Sequence, residues 1–129
     1  MLRNAKVQPM LPVKDLNAAE KFYEGTLGFQ KVGGAPGAAA VYRSGDGVFS
    51  VYQSEFAGTN QGTAALWTVE DVGKEVEELK RKGVTFEHYD DLPMLTRKGD
   101  VHAGEGLEVA WFKDPDGNIL SVQNQPAKT

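Results

Sequence analysis

Residues 13–29 read Val-Lys-Asp-Leu-Asn-Ala-Ala-Glu-Lys-Phe-Tyr-Glu-Gly-Thr-Leu-Gly-Phe, and this stretch decides the fold. Its pattern is typical of a strand end, an acidic turn, an amphipathic helix and a glycine at the end of the helix. Asn17 followed by Glu20 predicts a capping box at the helix start. Gly28 is placed to end the helix.

A weaker copy of this stretch begins at Val69 and reads Val-Glu-Asp-Val-Gly-Lys-Glu-Val-Glu-Glu-Leu-Lys-Arg-Lys-Gly-Val. In the copy, Asp71 is expected to cap a second helix and Gly83 to end it. An apolar stripe at helical spacing predicts the buried side of that helix: Val72, Val76 and Leu79. The two stretches therefore indicate a duplicated supersecondary unit.

Short apolar or alternating segments around the two helices predict the strands. They are residues 6–13, 29–32, 38–43 and 48–53 in the first half, and 64–69, 84–89, 107–113 and 119–123 in the second. Between the last two, Asp-Pro-Asp-Gly-Asn at 114–118 predicts a type I turn with a bulge. Residues 90–106 have no clear periodicity, so we expect a functional flap or a disordered loop there. The order is strand, helix and three strands, twice, which is an α+β architecture.

Composition limits the classes of function. The chain has 129 residues, a net charge of −4 and no cysteine. The acidic balance does not suit a general binder of nucleic-acid backbones. Without cysteine, disulfides, thiolate nucleophiles and Cys-based metal sites are excluded. No apolar run approaches the roughly 18 residues of a membrane span, and the N-terminus lacks the apolar stretch of a signal peptide, so we expect a cytoplasmic protein with no membrane partner.

Two groups of motifs carry a resemblance to a known family. They are Val-x-Asp-Leu, Phe-Tyr and Leu-Gly-Phe within residues 13–29, and Phe-x-Asp-Pro-Asp-Gly-Asn at 112–118. With the doubled βαβββ order, they resemble the vicinal oxygen chelate superfamily, which includes glyoxalase I, extradiol dioxygenases, fosfomycin-resistance enzymes and bleomycin-resistance proteins.

The resemblance covers nearly the whole chain and implies its architecture. Two βαβββ modules would form a cup-shaped, incompletely closed mixed sheet with the helices on its outer face. On this basis residues 1–129 are one domain, with module 1 at about 5–54, a linker at about 55–63 and module 2 at about 64–124. The resemblance also implies a homodimer in which modules of two chains are paired, and the sequence leaves open whether modules pair within or between chains.

In metal-using members of the superfamily, the ligands lie on the first and fourth strands of each module. Carried over by motif spacing, these positions are Gln8, Ser50, Ala64 and Ser121, with Ser50 uncertain by about one residue. Only Gln8 is a credible ligand, because alanine has no donor atom and a neutral serine is a poor ligand for a divalent ion. We therefore predict no metal and no cofactor.

A metal at non-standard positions is the competing interpretation. The only histidines are His88 and His102, and we interpret both as surface or loop residues. Four carboxylates nearby in sequence terms show no recognisable ligand spacing: Glu55, Glu87, Glu105 and Glu108. No Gly-x-Ser-x-Gly motif supports nucleophilic catalysis either.

Strand parity predicts which side chains line the cup, because alternate residues of a strand share one face. Trp111 lies opposite Ser121 and faces the cup if the turn at 114–118 has three loop residues, whereas a shifted bulge would reverse it. Trp67 has the helix-facing parity and is expected in the core. The predicted ligand-binding residues are Gln8, Met10, Ser50, Tyr52, Leu66, Trp111 and Ser121.

This apolar and aromatic lining predicts a binding protein rather than an enzyme. The ligand would be a hydrophobic or planar small molecule held without metal, as in the bleomycin-resistance branch linked to antibiotic resistance. The acidic net charge favours a cationic ligand. Two alternatives remain open: a lyase or dioxygenase that uses non-standard metal ligands or a base such as Glu87, and a structural or regulatory domain whose cleft is filled by its own side chains.

Overall fold

The computed structural model describes residues 1–124 and arranges ten strands in two open, mixed sheets. The first half contains a short 3₁₀ turn, one helix and four strands: Leu2–Asn4, β1 (Met10–Val13), α1 (Leu16–Glu20), β2 (Gln30–Ala35), β3 (Ala39–Ser44) and β4 (Gly47–Gln53). The second half contains one helix and six strands: β5 (Thr63–Thr68), α2 (Val72–Arg81), β6 (Phe86–Glu87), β7 (Thr96–Lys98), β8 (Val101–Gly104), β9 (Leu107–Lys113) and β10 (Ile119–Gln123). Within residues 1–124, no helix is long and apolar enough to cross a membrane.

The two sheets repeat one topology. In the first, the strand order is β1-β4-β3-β2, and in the second it is β5-β10-β9-β8-β7, with β6 also paired to β9. The strand before each helix pairs in parallel with the last strand of its own half, β1 with β4 and β5 with β10. The duplication read from the sequence is therefore present in the strand pairing.

The helix starts show the same repeat at the level of single atoms. The Asp15 carboxylate accepts from the backbone N–H of Ala18 at 3.1 Å, and the Asp71 carboxylate accepts from the N–H of Lys74 at 3.1 Å. The prediction of a capping box at Asn17 was wrong, because Asp15 takes the cap position and Asn17 is already inside α1. An aspartate two residues earlier satisfies the same free N–H groups of the first turn.

Helix α1 does not keep one geometry to its end. It continues as a π-helical segment over Lys21–Thr26, in which Leu27 N–H bonds to the carbonyl of Phe22. Gly28 then has a φ of 81°, and Gly83 after α2 has a φ of 96°. Both glycines occupy the left-handed region that an L side chain rarely adopts, so the predicted helix ends are confirmed.

The segment 90–106 is not the flap or disordered loop that its lack of periodicity suggested. It contains β7 and β8, which form an antiparallel hairpin continued onto β9. The Arg97 guanidinium holds the base of the hairpin through both carboxylate oxygens of Asp90, at 2.7 and 3.2 Å, and through the Gly99 carbonyl at 2.9 Å. Strands of three and four residues are too short to show a period in the sequence.

Both halves contribute to one hydrophobic core. The helix-facing residues of the first sheet, such as Leu11 and Tyr42, belong to the same buried cluster as Phe112 and Leu120 of the second. Val72, Val76 and Leu79 of α2 are buried in it, which confirms the apolar stripe read from the sequence. Each sheet therefore presents its helix-facing side to a common interior.

The Asp-Pro-Asp-Gly-Asn turn joins the two halves. Its hairpin geometry is confirmed, since Gly117 N–H bonds to the Asp114 carbonyl at 3.0 Å and Gly117 has a φ of 91°. The buried Asp114 carboxylate also accepts from the Tyr23 hydroxyl of the first half at 2.8 Å. The Asn118 amide donates to that carboxylate at 2.8 Å and to the carbonyl of Pro12 at 2.7 Å.

Candidate functional site

The residues predicted to bind a ligand lie on the sheet faces that point away from the shared core. Side chains alternate between the two faces of a strand. In β1, Leu11 and Val13 are buried in the core, whereas Met10, on the opposite face, is 52% exposed. Likewise, Leu66 of β5 is 50% exposed. We call these two outward surfaces the lining faces of the first and second sheet.

The lining face of the first sheet brings four predicted residues together. Met10 pairs with Ser50 across β1 and β4, and Tyr52 follows on the same face of β4. The Gln8 side-chain amide donates to the Ser50 hydroxyl, which is 2% exposed. The hydroxyl is therefore already engaged within the protein.

The lining face of the second sheet brings together the other three. Ser121 lies opposite Trp111 on one side and beside Leu66 on the other, so the predicted parity of Trp111 is confirmed. The Trp111 indole N–H donates to the Thr63 hydroxyl at 3.0 Å. Trp67, with the opposite parity, packs against the core and donates its N–H to Ser44 at 3.0 Å, as the sequence predicted for a core-facing residue.

Two further aromatic side chains hold the Trp111 ring. Tyr89 meets it edge to face, with ring centroids 5.2 Å apart and planes at 78°. His102 meets it in the same way, at 4.9 Å and 78°. Edge-to-face pairs of this kind add about 0.5–1.5 kcal/mol beyond burial. The indole is thus fixed in orientation while one side stays accessible.

His102 was interpreted as a surface or loop residue, and this was wrong. It is fully buried in β8, paired with Val109 of β9, because the segment forms a hairpin. Burial is the largest cause that lowers the pKa of its imidazole from the ordinary 6.5, so the ring is neutral at pH 7. The Tyr89 backbone N–H donates to its Nε2 at 2.9 Å, which places the proton on Nδ1. His88 is exposed and bonds to Asp100 at 2.8 Å, as expected of a surface histidine.

The predicted residues fall beside separate cavities. Trp111 and Tyr89 line one of about 220 Å³, together with Gln61, Thr63, Leu92 and Ile119. Leu66 lines another of about 250 Å³ with Val7, Pro9 and Val48. A wider polar hollow of about 530 Å³ lies near the start of α1 and contains none of the predicted residues. The structure therefore assembles the predicted set in two groups rather than around one enclosed pocket.

The donor groups at the four family positions do not fit a divalent metal ion. They are one amide, two hydroxyls and a methyl group, and Gln8 and Ser50 hydrogen-bond to each other. Protein sites for divalent ions are built mainly from carboxylate or imidazole ligands, and these positions supply neither. Over residues 1–124, no group of three or more His, Asp or Glu side chains is placed to hold an ion.

Sequence reasoning missed Tyr89, His102 and Thr63 as parts of this site. Tyr89 was predicted as the end of a strand and His102 as part of a segment without periodicity, and their proximity to Trp111 depends on the pairing of β8 with β9, which left no period in the sequence. Thr63 was placed in the linker, whereas it begins β5. The one signal in the sequence that could have indicated their proximity is the presence of His88, Tyr89 and His102 in the residues that precede Trp111.

Comparisons with known proteins agree with this architecture. The family model of the glyoxalase/bleomycin resistance protein/dioxygenase superfamily matches residues 7–122. No match was found among curated protein sequences.

Three solved structures illustrate the similarity of the fold. A bleomycin-binding protein complexed with bleomycin has a TM-score of 0.68 at 20% identity, covering 95% of this chain and 99% of that one. A lactoylglutathione lyase from Agrobacterium tumefaciens has a TM-score of 0.69 at 19% identity, covering 94% and 93%. The fosfomycin resistance protein FosX from Mesorhizobium loti has a TM-score of 0.65 at 13% identity, covering 95% and 92%. Together with the match over residues 7–122, the fold places this chain in the glyoxalase/bleomycin resistance protein/dioxygenase superfamily.

Proposed function

We propose that this protein binds a planar, hydrophobic and preferably cationic small molecule without a metal ion. The observation that carries the proposal is the Trp111 indole, which Tyr89 and His102 hold edge-on and Thr63 fixes by a hydrogen bond beside an open cavity. A ring held in this way can stack on a flat ligand without losing much side-chain freedom when the ligand arrives.

Burial and stacking supply the affinity in this proposal. Stacking on an indole contributes about 0.5–1.5 kcal/mol beyond burial, and a cation over its face contributes about 0.5–2 kcal/mol. The neutral state of His102 places no positive charge next to the ring that would repel a cationic ligand. The net charge of −4 also favours a cationic ligand, through attraction at longer range.

A second copy of the chain would complete the binding cleft. The cavity beside Trp111 has about 220 Å³, which is smaller than the roughly 300–1,000 Å³ of ordinary ligand pockets. Both lining faces point away from the common core, and Met10 and Leu66 leave about half of their surface exposed. We propose a homodimer in which the first lining face of one protomer meets the second lining face of its partner, giving two clefts.

The bleomycin-binding relative makes antibiotic binding the first activity to test. Fluorescence anisotropy of proflavine, a planar aromatic cation, reports binding without depending on protein tryptophans, and metal-free bleomycin can be used as a competitor. We expect saturable binding that Trp111→Leu weakens by about two- to tenfold, since leucine keeps apolar bulk but has no ring face.

Phe56→Leu is the matched control, because Phe56 is an exposed aromatic residue that lines neither the cavity beside Trp111 nor the cavity beside Leu66. It should leave proflavine binding unchanged. Equal weakening by both substitutions, or no binding by the unmodified protein to proflavine, bleomycin or other planar cations, would contradict the proposal.

A further inference from the structure

A separate cavity lies on the helix-facing side of the molecule, between the two halves. We call it the inter-module cavity. It has a volume of about 220 Å³, and six of its lining residues are Leu27, Phe29, Trp67, Glu75, Leu79 and Phe112. None of these residues lines the cavity beside Trp111, and only Trp67 also lines the cavity beside Leu66, so the inter-module cavity is distinct from the binding site proposed at Trp111.

Two of the aromatic rings that line the cavity are in contact with each other. Phe29 and Trp67 have ring centroids 5.3 Å apart with planes at 30°, and Phe49 packs edge-on against both. The hydrogen bond from the Trp67 indole to Ser44 prevents the ring from turning into the cavity. Leu27, Phe29 and Trp67 are only partly buried, so the space between them opens to solvent.

Glu75 is the one ionisable residue that lines the inter-module cavity. It lies in the first turn of α2 and is partly buried, and Leu79 one turn later lines the same wall. Among residues 1–124, no Lys, Arg or His forms an ion pair with its carboxylate.

An apolar, aromatic-walled cavity with one carboxylate is complementary to a small amphipathic cation. The volume equals about seven water molecules at about 30 Å³ each, enough for one ring with a short chain and too small for a drug of bleomycin's size. We propose that the inter-module cavity is a second binding site, which takes a compact arylalkyl amine with its ring packed against the paired rings of Phe29 and Trp67 and its ammonium group on Glu75.

The two tryptophans make this proposal testable independently of the first. Each of them gives one indole N–H signal in a ¹H–¹⁵N NMR spectrum, with Trp67 at the inter-module cavity and Trp111 at the lining face. Titration with phenethylamine should shift the Trp67 signal in a saturable way. Its neutral counterpart 2-phenylethanol should bind more weakly, and added salt should weaken only the amine.

Substitutions at α2 test the carboxylate. Glu75→Gln should weaken phenethylamine binding by about two- to fivefold, as expected for a partly exposed ion pair, and should leave 2-phenylethanol binding unchanged. Glu77→Gln is the matched control, because residues two apart on a helix do not face the same side. It removes the same charge and should have no effect.

Three results would overturn the proposal: shifts confined to the Trp111 signal, equal binding of the amine and the alcohol, or equal effects of Glu75→Gln and Glu77→Gln. Because proflavine binding is measured separately at Trp111, failure here would leave the proposed function standing. Failure of the Trp111 test would likewise leave the inter-module site standing.

Discussion

At the scale of single residues, local patterns in the sequence predicted the position of Trp111, but the surroundings of His102 and Asp15 depend on the folded backbone. Strand parity correctly placed Trp111 opposite Ser121, because alternation is a local property of a strand. It could not reveal that His102 is buried beneath that ring, since this depends on the pairing of β8 with β9. The cap at Asp15 was missed for the opposite reason: both Asp15 and Asn17 are good caps, and only the backbone decides between them.

The lowered pKa of His102 predicts a loss of stability in mild acid. Because the folded-state pKa lies below the ordinary 6.5, the unfolded chain takes up the proton first. The contribution of neutral His102 to the free energy of unfolding is fully present above pH 6.5 and is lost as the pH falls below that value. The free energy of unfolding, measured with urea, should therefore fall between pH 7.5 and pH 5. This fall should be smaller in His102→Gln. His88→Gln, at an exposed histidine, is the control, and an equal effect there would contradict the assignment.

The hydrogen bond from Tyr23 to Asp114 predicts a measurable contribution to stability. Tyr23→Phe removes a buried donor to a carboxylate and should lower the free energy of unfolding by about 1–2 kcal/mol. Burial, with Asp114 adding to it, raises the pKa of the Tyr23 phenol above its ordinary 10.0. The stabilisation should therefore hold below pH 10 and decline above it. Tyr52→Phe, at a partly exposed tyrosine, should change the free energy little.

At the scale of elements, the two helices and eight of the ten strands could be read from the sequence, whereas β7 and β8 could not. The two glycine-terminated helices carry their boundaries in single residues, Gly28 and Gly83. By contrast, β7 and β8 have three and four residues and are held by Arg97 and by pairing to β9. These contacts lie within residues 90–109, but strands this short give no periodic pattern of apolar residues from which to predict them.

The β7–β8 hairpin leads to a prediction about Gly104. A Cβ at this position would lie 2.1 Å from the carbonyl oxygen of Met94, so Gly104→Ala must displace the backbone that precedes β7. We expect a loss of about 1–3 kcal/mol in the free energy of unfolding, as for other overpacked sites. At Gly33, in β2, the nearest atom to an added Cβ is 3.9 Å away. Gly33→Ala should therefore be close to neutral, and equal losses at both sites would contradict the packing described.

At the scale of the whole molecule, the duplicated unit explains both the core and the position of the site. The halves merge through their helix-facing sides, where Tyr23 and Asn118 join them, and this leaves both lining faces outward. The sequence could predict the duplication and the family. It could not predict how the halves pack, because the contact between Tyr23 and Asp114 spans most of the chain.

The outward lining faces predict that the protein forms a dimer through them. Light scattering after gel filtration should give twice the mass of one chain. Leu66→Glu places a charge on a lining face and should shift the protein towards monomer, because a buried unpaired charge is costly. Lys74→Glu, on the exposed side of α2, is the control. A stable monomer that still binds proflavine would contradict the proposed dimer.

The central claim is that ligand binding at the Trp111 face requires no metal. Its most direct test is the affinity for proflavine of protein dialysed against EDTA, compared with the same protein after addition of nickel, manganese, zinc or iron. The claim predicts one saturable affinity under all these conditions, lowered by Trp111→Leu and unchanged by Phe56→Leu. Binding that EDTA abolishes and one of the metals restores would contradict it.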